Sequence, residues 1–170
     1  MAYHPRIPVE ARYVQSLGQA VYNFAYLEWG VIWSLEKLVP GYIRRSEKQT
    51  AGAMASEFVD AARKASLPEG VQAALIAVAG TFQDAVETRN HLLHAHPYTA
   101  ERGEQRLART KKATRVDWTI EDIDKAALTF EECAIAVNDL FHRHLETPDP
   151  SQTEVRDRED VPKPSSTRMP

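Results

Sequence analysis

The stretch Arg89-Asn90-His91-Leu92-Leu93-His94-Ala95-His96-Pro97 gathers the side chains of this sequence best suited to chemistry. Arginine holds a phosphate through two parallel hydrogen bonds, and histidine exchanges a proton near neutral pH. At about 100° per residue on a helix, Asn90 and His94 lie one turn apart on one row, and Arg89 and His96 two turns apart on the next. A guanidinium, a carboxamide and imidazoles thus converge at a helix end. They are the minimum for metal-free cleavage of RNA. The His would act as base or acid on the 2′-hydroxyl or the leaving oxygen, and the Arg would stabilise charge on the phosphoryl oxygens.

A scaffold must position these groups. The spacing predicts a helix over 9–39, with Val14, Leu17, Val21, Phe24, Val31, Leu35 and Leu38 in a stripe that stops at Pro40-Gly41. The slot between Phe24 and Val31 is Glu28, a carboxylate where the pattern calls for an apolar side chain. A second helix over 51–65 follows a polar loop and carries Met54, Phe58, Ala61 and Ala62 on one side. A third opens at Ser66-Leu67-Pro68-Glu69 with Ser66 as N-cap and runs to His96. Its stripe, Leu75, Val78 or Ala79, Phe82, Val86 and Leu93, is interrupted by Arg89. The last helix opens at Thr119, whose hydroxyl caps the Asp122 amide, with Glu121 also in the first turn. It carries Ile123, Ala127, Phe130, Ala134, Val137 and Leu140 or Phe141 to about residue 145. Between 97 and 118 no helical period survives, and a charged loop or short hairpin is expected. The fold class that follows is all-α, an antiparallel four-helix bundle.

Glu28 and Arg89 interrupt the stripes with opposite charges, and either one buried alone would cost several kcal/mol. If the first and third helices are neighbours, the Glu28 carboxylate is expected within hydrogen-bond reach of Arg89, either orienting it for catalysis or forming a purely architectural pair. The connection after the motif holds Arg102, Arg106, Arg109, Lys111, Lys112 and Arg115 against one acid, Glu104. With His96 it offers a local surface for RNA phosphates, the alternative being a solvated charged loop; no interleaved aromatics offer base stacking. His91, His94 and His96 also suggest zinc in part, but the ligand set is incomplete, and no metal or cofactor is expected. His142 and His144 complement the dipole of the last helix. Tyr22, Tyr26, Trp29 and Trp33, on a flank of the first helix, suit the core or a dimer interface better than a ligand box.

Arg89 followed after four residues by His94, with the polar Asn90 directly after the Arg, resembles the R-x4-6-H signature of HEPN-domain proteins. Asn23-Phe24 and Leu27-Glu28 are similar in style to the first helix of small bacterial members. The resemblance covers roughly residues 9–146 and implies a four-helix bundle of HEPN type with metal-independent endoribonuclease activity. It further implies a homodimer in which two motifs face each other across a composite cleft, and products with a cyclic phosphate and a 5′-hydroxyl. By matching position, Arg89 and His94 carry over as catalytic and Asn90 as the polar helper; Glu28 as the group that orients Arg89 is read from this sequence alone. A toxin or phage-defence role, with an antitoxin or nucleotidyltransferase partner, is implied as well. Toxin members whose motif extends to His-x-Tyr are nucleotidylated on that Tyr, whereas this chain has His96 there and its nearest tyrosine is Tyr98. The family includes noncatalytic proteins, so the alternative is a dimeric interaction module with a structural Arg–Glu pair.

Composition sets the outer bounds. The 170 residues, 43 % hydrophobic and 26 % charged with a mean hydropathy of -0.45, fit one soluble domain. A net charge of -3 means that any affinity for RNA must come from a local patch. Cys133 alone excludes an internal disulfide and points to a reducing compartment. No leader pattern opens the sequence, and the most membrane-like window, 19–39, contains Asn23, Glu28, Glu36 and Lys37, so a cytosolic protein without membrane contact is expected. The stretch 147–170 holds five of the ten prolines and nine charged residues, which reads as a disordered tail behind a folded 1–146.

Overall fold

Four long striped segments form four long helices, and the connection before the last one folds further than a loop. The computed structural model describes residues 9–111 and 113–146; Lys112 and the expected tail 147–170 lie outside them, and of Lys111 only the backbone is described. The order is α1 (Ala11–Leu38), α2 (Ile43–Ser46), α3 (Ala51–Lys64), α4 (Glu69–Leu93), β1 (His96–Thr99), β2 (Gln105–Lys111), β3 (Thr114–Trp118) and α5 (Ile120–Leu140). A π-helical turn, Phe141–Leu145, continues α5. The described residues are mostly helical with one small sheet, antiparallel in the order β1-β2-β3, where His96 faces Ala108 and Leu107 faces Trp118. Among the described residues no helix is long and apolar enough to cross a membrane.

Each long helix supplies one phenylalanine to the centre. Phe24 meets Phe130 edge-on at 5.3 Å and Phe82 at 6.3 Å, and Phe58 meets Phe82 at 6.2 Å. Such ring pairs add to the apolar area they bury. The expected stripes of α3 and α5 are buried, and the Thr119 cap forms with its reciprocal partner, Thr119 Oγ1 accepting from the Asp122 amide at 3.1 Å. In α1 the expected stripe is buried at Phe24, Val31 and Leu35, but the rest of the inward face differs from the expected one. That face is Tyr13, Ala20, Phe24, Leu27, Val31 and Leu35, while Val14 and Val21 are exposed. Two small polar residues at inward positions there are satisfied by carbonyls, Asn23 Nδ2 donating to Ala127 at 3.0 Å and Ser34 Oγ to Gly30 at 2.9 Å, while the buried Ser16 hydroxyl has no hydrogen-bond partner among the described residues.

Two boundaries also differ from expectation. The α4 helix ends at Leu93 rather than His96 and buries Leu92 in place of Leu93, because His94 leaves helical geometry and His96-Pro97 begin β1. Pro68, not Ser66, is its N-cap residue, without a side-chain bond; instead Gln72 Nε2 reaches back to the carbonyls of Arg63 and Ala65, both at 2.9 Å, and satisfies the end of α3. α3 and α4 run antiparallel, with Phe58 and Phe82 in ring contact beyond the Gln72 link. α1 and α5 run in the same direction, departing from the fully antiparallel expectation: Arg12 pairs with Asp124, Asn23 bonds at Ala127 and Gly30 faces Val137. A Cβ on Gly30 would lie 3.2 Å from Val137 Cγ1, a tight contact that Val137 would have to shift by a few tenths of an ångström to accept. The Tyr13 hydroxyl holds both helix starts to the sheet, accepting from the Leu107 amide and donating to the Trp118 carbonyl, each at 3.0 Å.

Candidate functional site

The motif lies where α4 stops and the sheet begins. Arg89 lies just before the last turn of α4 and Asn90 in it, His94 is its C-cap residue and His96 opens β1. The row pairing Arg89 with His96 on one helix therefore does not exist. Arg89 is half-buried, its guanidinium 5.2 Å from the centre of the Phe24 ring and its Nη1 donating to Asn90 Oδ1 at 2.8 Å. Its Nε is buried without a hydrogen-bond partner. Glu28 is also half-buried. Burial raises its pKa above the usual carboxylate value, and the charge of Arg89 opposes that rise. The two residues sense each other, yet Arg89 bonds to Asn90 and not to Glu28. The expected hydrogen-bonded Glu28–Arg89 pair is thus corrected to a longer-range one.

Sequence reading placed Arg109 only as one cation among six. In the fold its Nη1 donates to the Asn90 carbonyl at 2.6 Å, an acceptor shared with the His94 amide at 3.2 Å. This puts a fixed guanidinium against the negative end of α4. The usable signal was alternation along β2, since Leu107 and Arg109 share one face and Leu107 packs on the core. Arg109 borders two hollows. One, of about 300 Å³, is lined by Asn90, His91 and Gly52 among others. The other, of about 530 Å³, is lined by His94, His96, Tyr98 and Arg115 as well as Arg109. Tyr98 was missed as a ring for this site because its nearness to Arg115 depends on strand pairing; the Arg115 guanidinium lies 4.0 Å from its ring centre. Arg115 also pairs with Asp117 at 2.7 Å.

The other expected phosphate contacts separate. Arg106 pairs with Glu10 at 3.0 Å and lies over the Tyr13 ring, so it docks the sheet onto α1 rather than serving an open surface. Arg102 is exposed in the β1–β2 turn, beside a hollow it shares with Glu101 and Glu104. The Lys111 side chain and Lys112 lie outside the described residues. Among the described residues no three His, Cys, Asp or Glu side chains gather as a metal site would need. Cys133 is buried and its thiol pushed up to about 11, which removes it as a nucleophile at neutral pH. Tyr22, Tyr26, Trp29 and Trp33 are exposed, so the core option for them fails.

No family model, no curated protein and no solved structure matches this chain.

Proposed function

We propose that the chain is a metal-independent endoribonuclease of HEPN type, working in the cytosol as a toxin or defence effector. The observation that supports it is the 530 Å³ hollow at the end of α4, lined by His94, His96, Arg109 and Arg115, with the Arg109 guanidinium held on the neighbouring Asn90 carbonyl. An RNA phosphodiester needs this combination and nothing more. His94 accepts the proton of the 2′-hydroxyl, the 2′-oxygen attacks phosphorus, and the 5′-oxygen leaves with a proton from His96. The products are a 2′,3′-cyclic phosphate and a 5′-hydroxyl. Arg115 holds the phosphoryl oxygens while charge builds on them, Arg109 adds positive charge from the end of α4, and Tyr98 offers a ring to a flanking base. Arg89 adds positive charge from the preceding turn and fixes Asn90, whose carbonyl in turn anchors Arg109.

A second reading, a noncatalytic module, has one observation in its favour. The Arg89 guanidinium is already engaged by Asn90 and Phe24, as a purely structural arginine would be. Incubation of the purified chain with labelled RNA in EDTA separates the two. Cleavage that is lost in His94→Ala and Arg109→Ala, both still folded, supports the enzyme; RNA left intact by the wild type supports the module. An antitoxin or nucleotidyltransferase partner belongs to the first reading and would act by masking this hollow.

A further inference from the structure

Tyr22, Tyr26, Trp29 and Trp33 are 69, 54, 55 and 40 % exposed, in one stripe along α1. At about 100° per residue this stripe lies on the side of α1 opposite Leu27, Val31 and Phe24. Leu128 and Ile135 are exposed on α5 as well, whereas the end of α4 and the sheet expose only Leu93 and Val116 among the large apolar side chains described. Aromatic side chains carry about 150–250 Å² each, so the half-exposed stripe with its α5 neighbours leaves on the order of 600 Å² of apolar surface uncovered. That is the upper end of what a monomer keeps. Two such faces together bury about 1,200 Å², the lower bound for a stable interface.

The spacing also carries a symmetry. Residues 22, 26, 29 and 33 follow at intervals of four, three and four, which read the same in both directions. A two-fold axis through the midpoint sets Tyr22 against the partner's Trp33 and Tyr26 against the partner's Trp29. Next to the stripe, between α1 and α5, runs a groove of about 490 Å³ lined by Tyr26, Trp29, Trp33 and Phe141, open where Gly30 has no side chain. Such a groove accepts the edge of a ring. We propose that this face binds a second copy of the chain, as a two-fold dimer with antiparallel α1 helices. The stretch 147–170 fits less well, because its apolar side chains are only Val155, Val161 and Met169, far apart in sequence. This dimer does not depend on the ribonuclease reading. It does revise one implication of the resemblance: the stripe and the Phe24–Arg89 contact lie on opposite sides of α1, so the two α4 ends face away from each other and each hollow is complete within one protomer.

Sedimentation of the full chain over a dilution series, with tryptophan emission read in parallel, tests the proposal. The expected result is a dimer that dissociates on dilution as emission shifts to the red, Trp29 and Trp33 becoming wet while Trp118 stays buried. Tyr26→Glu with Trp29→Glu should be monomeric at every concentration with unchanged helical circular dichroism, and the milder Trp29→Ala should weaken dimerisation at least about tenfold. A wild type that is monomeric at the highest concentration overturns the proposal, whether its emission is red, an open face, or blue, a face covered by its own chain. So does a dimer that survives in the folded Trp29→Ala variant without weakening.

Discussion

Arg89 and Glu28 stand on neighbouring helices and interact less closely than two opposite charges on facing stripes suggest. Arg89 is met by its sequence neighbour Asn90, a bond that needs no tertiary closure, and by the face of Phe24. Glu28 is left with a burial cost that Arg89 offsets only in part, so its carboxyl titrates above the ordinary range. The folded state then binds this proton more tightly than the unfolded chain, and stability falls as pH rises from about 4 through the raised value. Glu28→Gln removes that loss. In thermal denaturation it should melt above the wild type at neutral pH, with the two converging below about pH 4; a variant less stable at neutral pH would mean that Arg89 requires the charge. Cys133, with its thiol at about 11, should resist a thiol reagent in the native protein and react only on unfolding, and fast native labelling would contradict its burial. The interrupting charges were visible in the sequence. Their partners were not, because side-chain direction at a helix end depends on the chain that follows.

The elements were legible where one face alone is apolar. α3 and α5 show a single stripe and were placed correctly with their buried residues, Phe58 and Phe130 among them. In α1, Val14, Val21, Tyr22 and Tyr26 form apolar outer faces that compete with the inner one, while Ser16, Asn23 and Ser34 pass for surface residues although buried. Periodicity cannot choose between such faces. The short charged hairpin expected over 97–118 is present as β2 and β3, whereas β1, which adds the third strand, was not legible because its residues continue the run read as the end of α4. The Tyr13 hydroxyl is one of the contacts that hold the sheet, beside Arg106, Arg109 and the packing of Leu107. Tyr13→Phe deletes the acceptor of the Leu107 amide and the donor to the Trp118 carbonyl, a change expected to cost about 1–3 kcal/mol and to speed amide exchange in β2. Unchanged stability and exchange would show that the sheet is held by Arg106 and Leu107 instead.

At the scale of the whole molecule, the basic connection divides by task. Arg106 fastens the sheet to α1, Arg109 closes the end of α4, and Arg115 lines the hollow beside Tyr98, so these three cations do not make one patch in space. The polar end of α4 and the aromatic face of α1 point in different directions, one suited to phosphate and the other to a second copy. Monomeric Tyr26→Glu/Trp29→Glu should therefore keep the wild-type RNA cleavage rate per chain, whereas loss of cleavage on monomerisation would return the site to a composite cleft. Endonucleolytic cleavage of a labelled RNA by the purified wild type in excess EDTA, compared with folded His94→Ala, bears most directly on the function. Fragments ending in a cyclic phosphate are expected, with a rate about 10²–10⁴-fold lower for His94→Ala. RNA left intact, cleavage that requires an added divalent metal, or equal cleavage by His94→Ala would contradict the proposed chemistry.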